Sequence, residues 1–369
     1  MANNVSSKSE IKSLTGVRGI AALIVAIHHF ISKYYIDQIA DNSNNVLFGS
    51  YIYNYANHGY LMVELFFILS GFVLAIAYDN KLESGIDKGI YRMFMLKRFN
   101  RVYPLYFFST IVYFFLFNLD KIKHIEVLIA NFFFLELWLP KNFSLNNVSW
   151  SLCTEWFLYL LFPFMLIKKN LFKDRIILLF IIGIIVFILA PVLNTQKLYD
   201  DNVDFSIFEL RMSNGTGALL RCLGSYIIGI AIYLIYKSKP SVTNVLNKYW
   251  YILVLFIFIF YGLEKSDIII DILFGLLILV LTQKNSISSF FSWKPLYFLG
   301  LISYSIYLNH MIFLRFLIFS FKKGLWQESS TNVMIGFLIF IFFTILSSWF
   351  TYKFIEIPCS NWLNKKIKK

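Results

Sequence analysis

Charge is scarce in this sequence. Asp, Glu, Lys and Arg together make up 15% of its 369 residues, well under the quarter or so usual in soluble domains. Proline (7) and cysteine (3) are scarcer still. So few charges, with a mean hydropathy of +0.66, cannot coat a soluble globule of this size, which excludes the soluble enzyme classes. The three cysteines, Cys153, Cys222 and Cys359, lie in or beside apolar stretches. That pattern excludes a disulfide framework, and no metal-ligand spacing appears, so no metal is expected. Acidic residues number 21 against 34 basic ones, a net charge of +13. Nucleic-acid binding would gather that charge along one face or tail. Here the lysines and arginines fall between apolar runs, and no nucleic-acid partner is expected. No repeat, low-complexity tract or polar connection long enough for an appended soluble domain interrupts the chain. One membrane domain over 1–369 is therefore expected, with its core at about 14–358 and short cytoplasmic tails at 1–13 and 359–369.

What the sequence has is apolar: 58% of its residues are hydrophobic and 20% of its residues are aromatic. Runs able to cross a hydrocarbon core, about 20 residues each, occur near 14–34, 59–78, 102–118, 150–167, 175–193, 214–236, 249–264, 267–283, 296–320 and 331–355. The first extends beyond signal-peptide length without a small-residue cleavage site, so it is expected to stay as a span. A shorter run at 125–139 contains Glu126, Asn131 and Glu136 and ends at Pro140. Counted as a span, it would put Lys168, Lys169, Lys173 and Arg175 outside and invert every later loop. Taken as a re-entrant or interfacial helix, it leaves most lysines and arginines inside and the acidic loop of Asp200, Asp201 and Asp204 outside. The expected fold is an all-α polytopic membrane protein of about ten transmembrane helices plus that short helix, with both termini cytoplasmic.

Against so apolar a background, buried ionisable residues stand out. His28 and His29 lie well inside the first span, and His29 follows Arg18 by eleven residues. At 1.5 Å per helical residue that offset is about 16 Å of membrane depth. Polar groups at such depth usually line a cavity or reaction path. In the expected topology His29, His310, Glu64 and Glu155 fall in one layer of the outer half. A carboxylate beside an imidazole raises its basicity and fixes its tautomer, which suits a general base for a hydroxyl group. The alternative at each position is a polar packing contact with a satisfied hydrogen bond. Only one of His28 and His29 can face a given site, because consecutive helical residues point about 100° apart. At the inner mouth of the third span, Lys97-Arg98-Phe99-Asn100-Arg101-Val102-Tyr103-Pro104 places Arg98 and Arg101 on one helical face. That pair makes a forked clamp for phosphates or, alternatively, a positive-inside anchor. Pro104 fits the start of a helix.

Six ordered blocks decide between these alternatives. They are Leu14-Thr15-Gly16-Val17-Arg18-Gly19 leading to His29; Val63-Glu64-Leu65-Phe66-Phe67 through Phe72; the arginine block through Pro104; Ser149-Trp150-Ser151-Leu152-Cys153-Thr154-Glu155-Trp156 followed by Pro163; Leu299 through Ser303-Tyr304-Ser305-Ile306-Tyr307-Leu308-Asn309-His310; and Tyr352-Lys353-Phe354-Ile355-Glu356-Ile357-Pro358. In these the chain resembles the bacterial integral-membrane acyltransferase 3 family, which O-acylates surface polysaccharides and other glycoconjugates. The resemblance runs from about Leu14 to Pro358. Small departures are Glu64 where aspartate is common, Cys153 where a small polar residue is usual, and Asn309 where an apolar residue often stands.

The resemblance implies an acyltransferase of the bacterial cytoplasmic membrane and selects His29 over His28 as the catalytic histidine. It implies acyl-CoA, most often acetyl-CoA, as donor, with Arg18, Arg98 and Arg101 as the functional arginines; Lys97, beside Arg98 at the inner mouth, suits the donor's phosphates as well. The acceptor is expected to be a hydroxyl of a surface or lipid-linked glycan reached from outside. Glu155, His310 and Glu64 are expected near the catalytic histidine, and Trp150, Ser303, Tyr304 and Tyr307 near the substrates. Ser303, Tyr304 and Trp150 are the candidate donors of hydrogen bonds to the oxyanion. A relay through acyl-histidine is the chemical alternative. A membrane transporter or flippase is the non-enzymatic one. No fused extracellular hydrolase-like domain of the kind some relatives carry is seen, so transfer is expected to be completed within the membrane domain.

Overall fold

The computed structural model describes residues 10–34, 48–83, 85–117, 125–139, 143–168, 175–194, 215–327 and 329–367, and the described residues form helices joined by short turns, without strands. In chain order the helices are α1 (Lys12–Tyr34), α2 (Phe48–Asn57), α3 (Met62–Tyr78, entered by a 3₁₀ turn at His58–Leu61), α4 (Lys88–Phe117), α5 (Ile125–Phe132), α6 (Trp150–Lys168), α7 (Ile176–Val192), α8 (Gly215–Ser238), α9 (Pro240–Lys248), α10 (Trp250–Tyr261), α11 (Asp267–Leu281), α12 (Ser286–Phe291), α13 (Lys294–Leu301), α14 (Ser303–Lys322), α15 (Ser330–Thr351) and α16 (Ile357–Ile367). A π-helical turn, Tyr352–Glu356, joins the last two. The acidic loop of Asp200, Asp201 and Asp204, together with Pro140, Lys169 and Lys173, lies outside the described residues.

Each of the ten apolar runs is helical where described, but among the described residues six helical stretches are long and apolar enough to cross a membrane: Lys12–Tyr34, Tyr51–Tyr78, Trp150–Lys168, Gly215–Ser238, Ser303–Lys322 and Ser330–Lys365. A seventh is added if α9 and α10, bent by 74°, count as one broken span. The shortfall from ten has local causes. The run at 175–193 is a 17-residue helix, while that at 296–320 breaks at Ile302 and still keeps a span in α14. The run at 249–264 is a 12-residue helix and that at 267–283 a 15-residue helix. The run at 102–118 is the apolar half of α4, a 30-residue helix whose first half carries the basic residues. Pro104 sits inside α4 rather than at a helix start. It lacks the N–H that would bind the Asn100 carbonyl, and the helix passes through it. The run at 125–139 gives only the eight residues of α5 and a 3₁₀ turn at Glu136–Trp138, about 12 Å of helix and too short to cross.

Close packing, rather than a hydrophobic drive, must hold helices together in lipid, and small residues permit it. α1 lies against α13 and α14, and α3 against α8. At the first contact a Cβ on Gly300 would overlap the Thr15 carbonyl. At the second, a Cβ on Gly71 would stand 2.7 Å from the Tyr226 carbonyl oxygen. α1 packs against α3 as well, so α1, α3 and α14 meet around a shared polar interior. The outward faces carry large exposed side chains such as Phe115, Ile177 and Phe342, as lipid-facing surfaces do.

Candidate active site

Three cavities follow one another through the interior and share lining residues. The widest, about 1040 Å³, lies between α4 and α16 and is lined by Lys97, Arg98, Asn100, Arg101, Asn364 and Lys365 among others. Arg98 and Arg101 also line the second, about 120 Å³, with Arg18, Ser70, Glu155, Tyr159 and Tyr304. Arg18, Ser70, Glu155 and Tyr304 continue into the third, about 70 Å³, which ends among Ser151, Ser303, Phe66 and Tyr307. Arg98 and Arg101 thus share a face of α4, as their spacing requires.

The three arginines have different surroundings. Arg101 forms an ion pair with Glu356, on the π-turn, and its guanidinium lies 5.6 Å from the centre of the Tyr304 ring. Arg98 stacks over Phe94 and Tyr159, at 6.0 and 5.9 Å, and its buried Nε has no hydrogen-bond partner. Arg18 faces the same two inner cavities as Glu155. Glu155 accepts hydrogen bonds from Ser70 (2.6 Å) and Tyr226 (3.1 Å). Glu155 therefore belongs to the arginine layer, not to the histidine layer expected for it.

The histidine layer is built from α1 and α14. His29 Nδ1 lies 2.9 Å from the Val25 carbonyl, one turn back on its own helix. A carbonyl only accepts, so Nδ1 carries the proton and Nε2 keeps a lone pair. His310 repeats the arrangement, with Nδ1 3.1 Å from the Ile306 carbonyl. Its Nε2, left as an acceptor, sits 3.4 Å from His29 Nδ1, and the rings are 5.1 Å apart. His310 thus reinforces one tautomer of His29. His28 turns away, with Nδ1 3.2 Å from the Ala56 carbonyl. The link to the cavities is Tyr307, which lines the innermost one and lies 6.2 Å, ring to ring, from His310. Its hydroxyl donates to the Val148 carbonyl (2.9 Å) and is 2.8 Å from Ser151 Oγ.

Several expected residues are placed elsewhere. Glu64 does not join the histidines. Fully buried, it is the ion-pair partner of Arg221, which is 1% exposed, and it accepts from Ser225 Oγ at 2.7 Å. The reason is its helical face: α3 turns that side chain toward α8, where Arg221 sits. Trp150 lies under the same guanidinium at 4.9 Å and lines none of the three cavities. Ser303 and Tyr304 do line them, but each hydroxyl already donates to a backbone carbonyl, Gly300 at 2.8 Å and Val102 at 2.6 Å. Each hydroxyl has one hydrogen, so neither points a donor at a substrate in this arrangement.

Sequence reasoning missed Arg221, Glu356, Ser70 and Glu136. Arg221 was detectable as an arginine inside an apolar run. Glu356 lies in the last of the six blocks, where the sequence alone offers it no partner. Glu136, in the short apolar run, accepts from Ser149 and from Cys153 Sγ (3.2 Å), tying that segment to the start of α6. Ser70 carried no signal of its own.

Comparison with known proteins matches this sequence to one family. The model of the acyltransferase 3 family, described as an acyltransferase domain, matches residues 11–353. YrhL of Bacillus subtilis (strain 168), named a putative peptidoglycan O-acetyltransferase, is 26% identical over 83% of this chain and 51% of its own length. The acyltransferase MdmB of Streptomyces mycarofaciens is 31% identical over 42% of this chain and 40% of its own. OatA of Listeria monocytogenes, a peptidoglycan O-acetyltransferase, is 23% identical over 95% of this chain and 56% of its own. The chain thus spans about half the length of the curated relatives it matches. No solved structure matches. The family match over nearly the whole chain makes this multi-pass membrane protein a member of the acyltransferase 3 family.

Proposed function

We propose that this protein is a membrane O-acyltransferase that takes an acyl group, acetyl above all, from acyl-CoA at the cytoplasmic face of a bacterial inner membrane. The acceptor is a hydroxyl of an envelope glycan on the other side. One observation carries this reading: a single series of lining residues leads from Lys97, Arg98 and Arg101 past Arg18 and Glu155 to Tyr307, next to the His310–His29 pair. The wide cationic cavity suits the phosphates of coenzyme A. The two narrower ones suit its slender arm. Two relatives are named as peptidoglycan O-acetyltransferases, which makes a peptidoglycan-type glycan the first acceptor to consider. Ten crossings with both termini inside remain the topology that best orders the basic residues.

In the reaction, His29 Nε2 takes the proton of the acceptor hydroxyl while the oxygen bonds to the thioester carbonyl carbon. The tetrahedral intermediate collapses with loss of the C–S bond. The departing thiolate then takes the proton from His29, which leaves the histidine neutral and the balance complete. His310 Nε2 accepts from His29 Nδ1–H and so favours the imidazolium that forms between the two steps. Tyr307 stands where the arm of the donor must pass, and its side chain has to turn for the thioester to reach His29.

Acetyl-CoA binding to the purified protein tests the donor assignment. Loss of one charge-assisted contact costs about 1.5–3 kcal/mol, so Arg98→Ala is expected to weaken binding at least tenfold. Arg101→Ala is expected to matter less, because Glu356 already holds that guanidinium. A wild-type protein that binds no acetyl-CoA refutes the reading.

A further inference from the structure

The widest cavity has two walls, and only one belongs to the arginine block. The other is α16, which contributes Ser360, Asn361, Asn364 and Lys365. α4 and α16 are fastened across it by Asn100, whose Nδ2 donates to the Ser360 carbonyl (3.0 Å) and to Asn364 Oδ1 (3.1 Å). This fixes the amide orientation, since the carbonyl can only accept. Asn100 is 4% exposed, yet its Oδ1 has no hydrogen-bond partner. Arg98 Nε, on the same lining, is likewise buried without one. A buried acceptor and a buried donor without partners, on two residues that line one cavity, are costly unless a ligand completes them. Charge sharpens the picture. With Arg101 neutralised by Glu356, the lining still presents Arg98 and, on α16, Lys365 to a polyanion.

We propose that α16 is the second wall of the donor site. Lys365 and Asn361 contact the phosphorylated nucleotide end of the acyl donor, opposite Lys97 and Arg98, while Asn100 Oδ1 accepts an N–H of the same ligand. The assignment rests on the acyl-CoA reading given above and adds a determinant of donor specificity to it. An anionic ligand with an N–H donor fits both open atoms. A bare phosphate fits only the Arg98 side. A lipid headgroup shares the phosphate chemistry, and the test separates it from the nucleotide.

The test measures coenzyme A binding to the full chain in phosphatidylcholine nanodiscs, with and without phosphatidylglycerol. Lys365 and Asn361 are exposed, so Lys365→Glu and Asn361→Ala are compatible with a folded protein. Lys365→Glu is expected to weaken coenzyme A binding tenfold or more and Asn361→Ala about threefold, in both lipid compositions. Acyl transfer from S-acetylpantetheine, which lacks the nucleotide, is expected to be unchanged in both variants. If coenzyme A binds wild type and both variants equally while Arg98→Ala abolishes binding, α16 is not a wall of the site and the acyl-CoA reading survives. If phosphatidylglycerol displaces coenzyme A from wild type but not from Lys365→Glu, the cavity is a lipid-headgroup site and the proposal is overturned. If wild type binds no coenzyme A, the functional reading fails, and this inference with it.

Discussion

Removing the Glu64 carboxylate separates a structural role from a chemical one. Glu64 and Arg221 are an ion pair with side chains 0% and 1% exposed, and Ser225 Oγ supplies a further bond to the carboxylate at 2.7 Å. Breaking one partner of a buried pair strands the other charge and costs about 3–5 kcal/mol. Two features favour the lower end. Arg221 is backed by the Trp150 ring at 4.9 Å, a contact worth up to about 2 kcal/mol when desolvated. The Tyr60 ring lies over the same guanidinium, with its centre 5.9 Å away. Glu64→Ala is therefore expected to destabilise the protein by about 3 kcal/mol, read as an earlier thermal unfolding in detergent by tryptophan fluorescence. Glu64→Gln keeps an oxygen for Arg221 and Ser225 and loses only the charge. It is expected to unfold later than Glu64→Ala and, per folded molecule, to transfer acyl groups at close to the wild-type rate. A Glu64→Gln protein that unfolds like wild type but transfers nothing would refute the reasoning and return Glu64 to the chemistry.

Two further outcomes follow from the geometry. His310→Ala removes the acceptor 3.4 Å from His29 Nδ1 and is expected to lower kcat by a large part of the 10²–10⁴-fold that a positioned acid–base group supplies, roughly, with KM for the donor unchanged. A matched fall in donor affinity would place His310 in binding instead. Gly300→Ala puts a methyl group onto the Thr15 carbonyl. The resulting separation of α1 from α13 is expected to cost about 1–3 kcal/mol, and unfolding at the wild-type temperature would show that the helices do not meet so closely.

How far the sequence foretold this arrangement depends on the kind of signal. Apolar runs are read by composition, and all ten are helical. Their ends and breaks are not, because the break at Ile302 and the continuity of α4 through Pro104 are set by packing partners distant in sequence. Directions on one helix follow from spacing: the i, i+3 spacing of Arg98 and Arg101 puts both on the cavity lining, and the 100° between His28 and His29 sends one ring to the Ala56 carbonyl and the other to His310. Partners across helices were not legible. Membrane depth alone put Glu64 and Glu155 beside the histidines, yet depth says nothing of which way a side chain points. Glu64 faces α8 and finds Arg221, and Glu155 faces Ser70 and Tyr226. The same limit hid the Arg101–Glu356 pair, whose members are 255 residues apart in sequence.

The central claim is that a base at His29, on the acceptor side, acts on a donor held at the arginine mouth. The most direct measurement is transfer of labelled acetyl from acetyl-CoA, supplied to the cytoplasmic face of sealed vesicles, onto envelope glycan by wild type and His29→Ala, with acetyl-CoA binding measured on the same preparations. The account predicts that His29→Ala binds acetyl-CoA with wild-type affinity and transfers no acetyl to glycan. Transfer at the wild-type rate by a folded, acetyl-CoA-binding His29→Ala protein would contradict it.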